Sequence, residues 1–144
     1  MRLSNRWLLA SFLLVITVPA AMAHGGEMVG TWSETLTVQG PLAPIVSKTI
    51  TEYKADGTFT SATRSSDGLN QNSSSASGSY VYENGILRST ARVTMTSGRR
   101  VGEVVYISSK VSIRWISDNT FEATVLESTL PPTIGWRAIS TRVR

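Results

Sequence analysis

"MVGTWSETLTV", residues 28–38, decides the fold. Successive side chains of an extended chain point to opposite faces. Trp32, Leu36 and Val38 then share one face, and Thr31, Ser33, Thr35 and Thr37 share the other. This is the pattern of a strand with one buried and one wetted face. Glu34 falls on the apolar face. An unpaired buried carboxylate costs on the order of several kcal/mol, so it must find a cation, hold a proton or reach water. Three readings follow. Glu34 forms an ion pair inside the fold with Arg64, Arg88, Arg92, Arg114 or Arg137; it is the polar anchor of a bound ligand; or a bulge turns it outward. Arg114 alternates against Trp115 and so points outward, and Arg137 carries the same ambiguity beside Trp136.

The chain beyond this stretch keeps the same character. No window shows a sustained helical period. Thr, Ser, Val and Ile dominate, and turn signals recur at short intervals, as in a sandwich or barrel of short antiparallel strands. Strands are expected near 30–38, 45–54, 58–65, 78–83, 86–95, 102–108, 111–117, 120–127 and 134–143. Three turns set the register. In "YKADGTF", Gly57 takes the left-handed position of a three-residue hairpin loop, and Tyr53 faces Phe59. In "WISDNTF" the spacing recurs, with Asn119 expected in the left-handed position and Trp115 facing Phe121. Shared turn chemistry accounts for this echo better than duplication does. "YENGIL" reads as a two-residue Asn84-Gly85 loop with Tyr82 facing Leu87.

Between these elements lie polar connections. "SSDGLNQNSSSAS", 65–77, is low in complexity and is expected to be a mobile loop. Within it Asn72-Ser73-Ser74 is a glycosylation sequon, meaningful only in a eukaryotic secretory pathway. "QGPLAP", 39–44, and the Pro131-Pro132 segment are further loops, since proline offers no donor to a ladder.

The first 23 residues read as a cleaved signal peptide. Arg2 and Arg6 precede the apolar run Leu8–Val18, and Ala21-Met22-Ala23 is a small-x-small cleavage site. The run is too short for a membrane-spanning anchor, so no stable membrane insertion is expected after cleavage. The expected location is periplasmic or extracellular. Removing 23 of 144 residues leaves a single domain over 24–144. It is large enough for a real core, and it has no cysteine to brace it. Loss of Arg2 and Arg6 leaves 12 basic against 10 acidic side chains, a net charge of +2. That balance argues against a nucleic-acid partner.

An antiparallel chain of this size exposes edges unless it closes. Strands joined by tight hairpins favour an up-and-down barrel. Gly30-Thr31-Trp32 resembles the Gly-x-Trp that opens the lipocalin and wider calycin barrels, and the two Asp-containing hairpins are similar to those of bacterial lipocalin-like domains. The resemblance implies an all-β, lipocalin-like barrel of about 8–9 strands. It also implies that Trp32 packs under a late arginine that closes one end, with Arg137 as the first candidate and Arg142 as the substitute. The long first loop, second motif and C-terminal helix of larger lipocalins are missing, so the resemblance supports the architecture better than a roomy ligand cup.

Catalytic chemistry finds little support. His24 is the single histidine, and as a new N-terminus it could chelate copper, but the histidine-brace enzymes add a second histidine. One histidine and no cysteine build no nucleophile–base pair and no zinc site. The carboxylates are scattered, with no pair singled out as acid and base. No metal and no cofactor are expected. The leading expectation is an exported, non-catalytic binding protein for a small apolar or amphipathic molecule. Glu34 and the aromatic set Tyr53, Phe59, Tyr80, Tyr82, Trp115, Phe121 and Trp136 would line its interior, although the same aromatics read first as ordinary filling of a barrel core. Such binding needs a continuous cavity of at least about 300 Å³. The alternative is an envelope or secreted interaction module, inhibitor-like, that uses its loops against another protein and shows an exposed apolar patch at a barrel mouth. An enzyme is the weakest reading.

Overall fold

The computed structural model describes residues 28–40 and 42–144. The expected leader over 1–23, its cleavage site and His24 lie outside the described residues. Eight strands follow in order: β1 (Gly30–Val38), β2 (Ile45–Tyr53), β3 (Thr58–Ser66), β4 (Gln71–Glu83), β5 (Ile86–Ser97), β6 (Val104–Ser117), β7 (Thr120–Ser128) and β8 (Arg137–Arg142). Each pairs antiparallel with the next, and β8 returns to β1, so the sheet closes as an up-and-down barrel. Closure removes the edges that an open sheet of hydroxyl-rich strands would expose.

The alternation of the opening stretch survives intact. Trp32 is buried, and Thr35 and Thr37 are exposed. The register Tyr53↔Phe59, Tyr82↔Leu87 and Trp115↔Phe121 matches the hairpin reading. Asn84 and Gly85, at φ 51° and 74°, make the two-residue loop, and Gly57 is left-handed at φ 82°. Because the barrel is a simple meander, its connections alternate between two ends. The β2–β3, β4–β5 and β6–β7 turns share one end, and the β1–β2, β3–β4, β5–β6 and β7–β8 connections share the other.

The first end is plugged by apolar side chains that flank its tight turns. Met28, Trp32, Leu87, Ile113 and Phe121 are buried there, with Tyr53, Tyr80, Tyr82, Val111, Trp115 and Ala123 packed against them. The Trp32 ring lies 4.7 Å from Phe121 and 5.7 Å from Trp115, in tilted and edge-on geometries that favour aromatic attraction. Gly78 stands opposite the Phe59 ring on β3. A Cβ on Gly78 would overlap the Thr90 carbonyl oxygen, so only glycine fits where β4 and β5 approach this closely.

The structure corrects four expectations. The expected loop 65–77 contracts to a turn at Asp67–Asn70, and 71–77 belongs to β4. Asp67 Oδ1 accepts the Leu69 and Asn70 amides at 2.9 and 2.6 Å. Pairing to β3 and β5 satisfies the backbone on both sides, so low hydrophobicity does not prevent the strand. The expected strands 102–108 and 111–117 are one strand, β6, which crosses a register shift between Lys110 and Val111. Asn119 is not left-handed: Asn84 is the one non-glycine residue with positive φ among the described residues. The extra residue is taken up between Trp115 and Ser117 as a bulge. The last expected strand starts late, at Arg137, after a 3-10 turn at Pro131–Thr133.

Candidate functional site

Arg142, not Arg137, closes the plugged end. Its guanidinium lies 4.3 Å from the Trp32 ring centroid, and its Nη1 donates to the Val29 carbonyl at 2.8 Å. The Trp32 indole donates to the Met28 carbonyl at 2.9 Å. Strand parity is the reason: Ala138, Ser140 and Arg142 share the inner face of β8, in phase with Trp136 just before it, which leaves Arg137 on the outer face beside the rim. Gly30 at φ 133° lets the chain pass directly under Arg142, where a Cβ would meet Nη1.

Beyond the plug the interior opens into a cavity of about 290 Å³. Trp32, Leu36, Tyr53, Phe121, Val125 and Trp136 give it apolar walls. Thr51, Ser89, Ser109 and Ser140 add hydroxyls, and the Ser89 and Ser109 oxygens are 2.9 Å apart. Thr133, Trp136 and Arg137 extend its lining to the β7–β8 connection, hence to the unplugged end. The volume sits at the lower bound for a ligand site, about 300 Å³. At roughly 30 Å³ per water-sized group it takes roughly ten non-hydrogen atoms.

Glu34 lines this cavity from β1. Ser140 stands opposite it in register, and its Oγ donates to Oε2 at 3.0 Å. Burial pushes the Glu34 carboxyl above its ordinary range, and the Ser140 bond partly offsets that. Burial and then the Glu34 charge push the Tyr53 hydroxyl up as well. The ion-pair reading of Glu34 is overturned: among the described residues no lysine or arginine pairs with it. Arg64, Arg88 and Arg92 alternate against inward side chains and are exposed, while Arg114 meets Glu122 at 3.3 Å on the outer face. The bulge that would turn Glu34 outward is also absent, since β1 pairs with β2 without a register shift.

Of the residues expected to line a ligand site, the structure brings Glu34, Tyr53, Phe121 and Trp136 to one cavity. It places Phe59, Tyr80, Tyr82 and Trp115 outside it, in the packing around the plug. Tyr80 Oη donates to the Lys54 carbonyl at 2.8 Å, and Tyr82 Oη accepts the Trp115 indole at 2.9 Å. Phe59 packs on Tyr53 with ring centroids 5.7 Å apart. Ser140 was the residue missed. Its one signal was parity with Trp136 along β8, because a lone serine in a serine-rich chain carries no other mark. A wider, more open groove of about 570 Å³ runs along β4, β5 and β6. Arg88 and Lys110 line it, and Lys110 is paired to Glu127 at 3.0 Å.

No group of three or more carboxylates or histidines that could hold a metal occurs among the described residues. No family model matches this chain, and no curated protein sequence matches it significantly.

Proposed function

We propose that this chain is a lipocalin-like binding protein, exported by its N-terminal leader, that holds a small amphipathic molecule in the barrel interior without transforming it. One observation carries the reading: apolar walls, hydroxyls and a largely desolvated carboxylate converge on one interior cavity of about 290 Å³. Ligand sites are built this way, with a mostly apolar surface and a few placed polar groups that set orientation. The outer face favours an aqueous over a lipid setting: Thr, Ser, Lys, Arg and Glu predominate there, with Val46, Ile50, Val81, Tyr106, Ile116 and Ile139 scattered among them. Native mass spectrometry of the protein purified from its own host tests the reading. A retained small-molecule mass, released by Ala138→Leu on the cavity wall, is the expected result. No retained mass, together with no response of cavity-lining residues to 2-phenylethanol by NMR, overturns it.

A second reading draws on the unplugged end. Leu42, Leu69 and Val101 are 88%, 83% and 63% exposed, each on a different loop of that end. Turns at the plugged end instead carry Asp56, Asn84 and Asp118. Aliphatic loop tips suit docking against another protein. Photo-crosslinking from position 69 in the native compartment should then trap one defined partner, and Leu42→Ser with Val101→Ser should abolish the product.

A further inference from the structure

The chemistry of the cavity narrows what it takes, if the binding reading above holds. Ten carboxylate residues occur in the sequence, and nine lie among the described residues. Eight of those nine sit in turns or on the outer face: Glu52 and Glu83 are exposed, Glu122 and Glu127 pair with outer-face cations, and the rest occupy or flank turns. Glu34 alone faces inward. Its inward neighbours are Thr49 and Thr51 on β2, then Ser140 on β8. The inner faces of β5, β6 and β7 bring Leu87, Ser89, Ser109, Val111, Phe121 and Ala123, none of them charged. The titratable groups on facing elements are Tyr53, Tyr80 and Tyr82. Two cations flank the site: Arg142, engaged with Trp32 and the Val29 carbonyl, and Arg137 at the rim.

We propose that the cavity takes a small monoamine, seated with its protonated nitrogen on Glu34 and its apolar body against Tyr53, Phe121 and Trp136. An ammonium group supplies the charge that no lysine or arginine among the described residues supplies to this carboxylate. The surrounding aromatic faces add to the attraction for a cation. An anionic head would meet Glu34 as a like charge. A neutral alcohol would leave the carboxylate uncompensated. The opposite end sets the valence. Arg137 lies three residues along β8 from Ser140, roughly 10 Å at strand rise. Arg137 is part of the lining at this rim, so a second cation at the ligand's tail would meet a like charge there and a diamine is disfavoured.

Isosteric probes that match the cavity in size test this. The full chain is titrated at pH 7.5 with 2-phenylethylamine and with 2-phenylethanol, followed by tryptophan fluorescence and NMR. The amine is expected to bind roughly 10–100-fold tighter, the size of one charge-assisted hydrogen bond. Glu34→Gln, close in shape, should erase that preference. As pH falls and Glu34 takes up its proton, amine affinity should fall in the native protein but not in the variant. Hexylamine should outbind hexane-1,6-diamine. Equal binding of amine and alcohol to the native chain overturns the amine assignment and leaves the binding reading standing. Failure of both to bind removes the binding reading, and the assignment with it. The native-chain comparison decides even if the variant folds poorly.

Discussion

The two ends of one tube follow opposite rules. At the plugged end Trp32 is 2% exposed, its indole hydrogen bond is made, and Arg142 covers its face. Two residues further along β1, Glu34 is held by a single hydroxyl and borders open space. The first arrangement stabilises the fold. The second costs stability, because burial raises the free energy of the charged carboxylate. A barrel that needed only to fold would place Thr or Val at position 34. The difference teaches that the plug carries the stability that the cavity gives up, as sites of function commonly require.

That contrast can be broken at its strong side first. Trp32→Ala should remove about 3–5 kcal/mol, the usual cost of emptying a buried tryptophan site, read as a lower urea midpoint. A loss below about 1 kcal/mol would mean that the plug is not the main support. Next, Arg142→Ala should cost about 2 kcal/mol through the lost stack and the Val29 hydrogen bond, whereas Arg137→Ala should stay within about 0.5 kcal/mol. Equal losses would return the closing role to Arg137.

The weak side responds with the other sign. Glu34→Gln should raise stability by ~1 kcal/mol at neutral pH by removing a buried charge. The folded carboxyl titrates above its unfolded value, so the folded state binds more protons between the two. Its contribution is therefore fully present below the unfolded value and is lost as pH rises through the folded one. The advantage of the variant should vanish in acid and grow towards neutrality, and denaturation at several pH values checks this. A destabilised Glu34→Gln at pH 7 would break the comparison. The smallest effect belongs to Ser140→Ala, about 0.5–1.5 kcal/mol, with the Glu34 carboxyl moving further up because the bond that lowers it is gone. Carbon-detected NMR titration of Glu34 reads that movement directly.

Much of this is legible in the sequence. The period of two along residues 30–38 put Trp32 and Glu34 on one face, and turn chemistry set three hairpins in register. What misled was composition. Serines and asparagines over 71–77 resemble a linker, yet a barrel strand paired on both sides needs no hydrophobic side chains to satisfy its backbone. Asn119 misled in another way: a three-residue loop and a two-residue turn beside a bulge use the same residues, and only the paired strands choose between them.

The sequence by itself determined which side of each strand turns inward, because alternation is a property of the extended chain and needs no partner. It also put Glu34 on the face of Trp32, and the unbroken register of β1 with β2 then excluded the bulge that would have turned it outward. Only the tertiary structure decided what that carboxylate meets. Ser140 stands 106 residues away in the chain, and Arg142 rather than Arg137 covers Trp32. Both depend on where β8 lands against β1, and that register is set by closing the whole ring of eight strands.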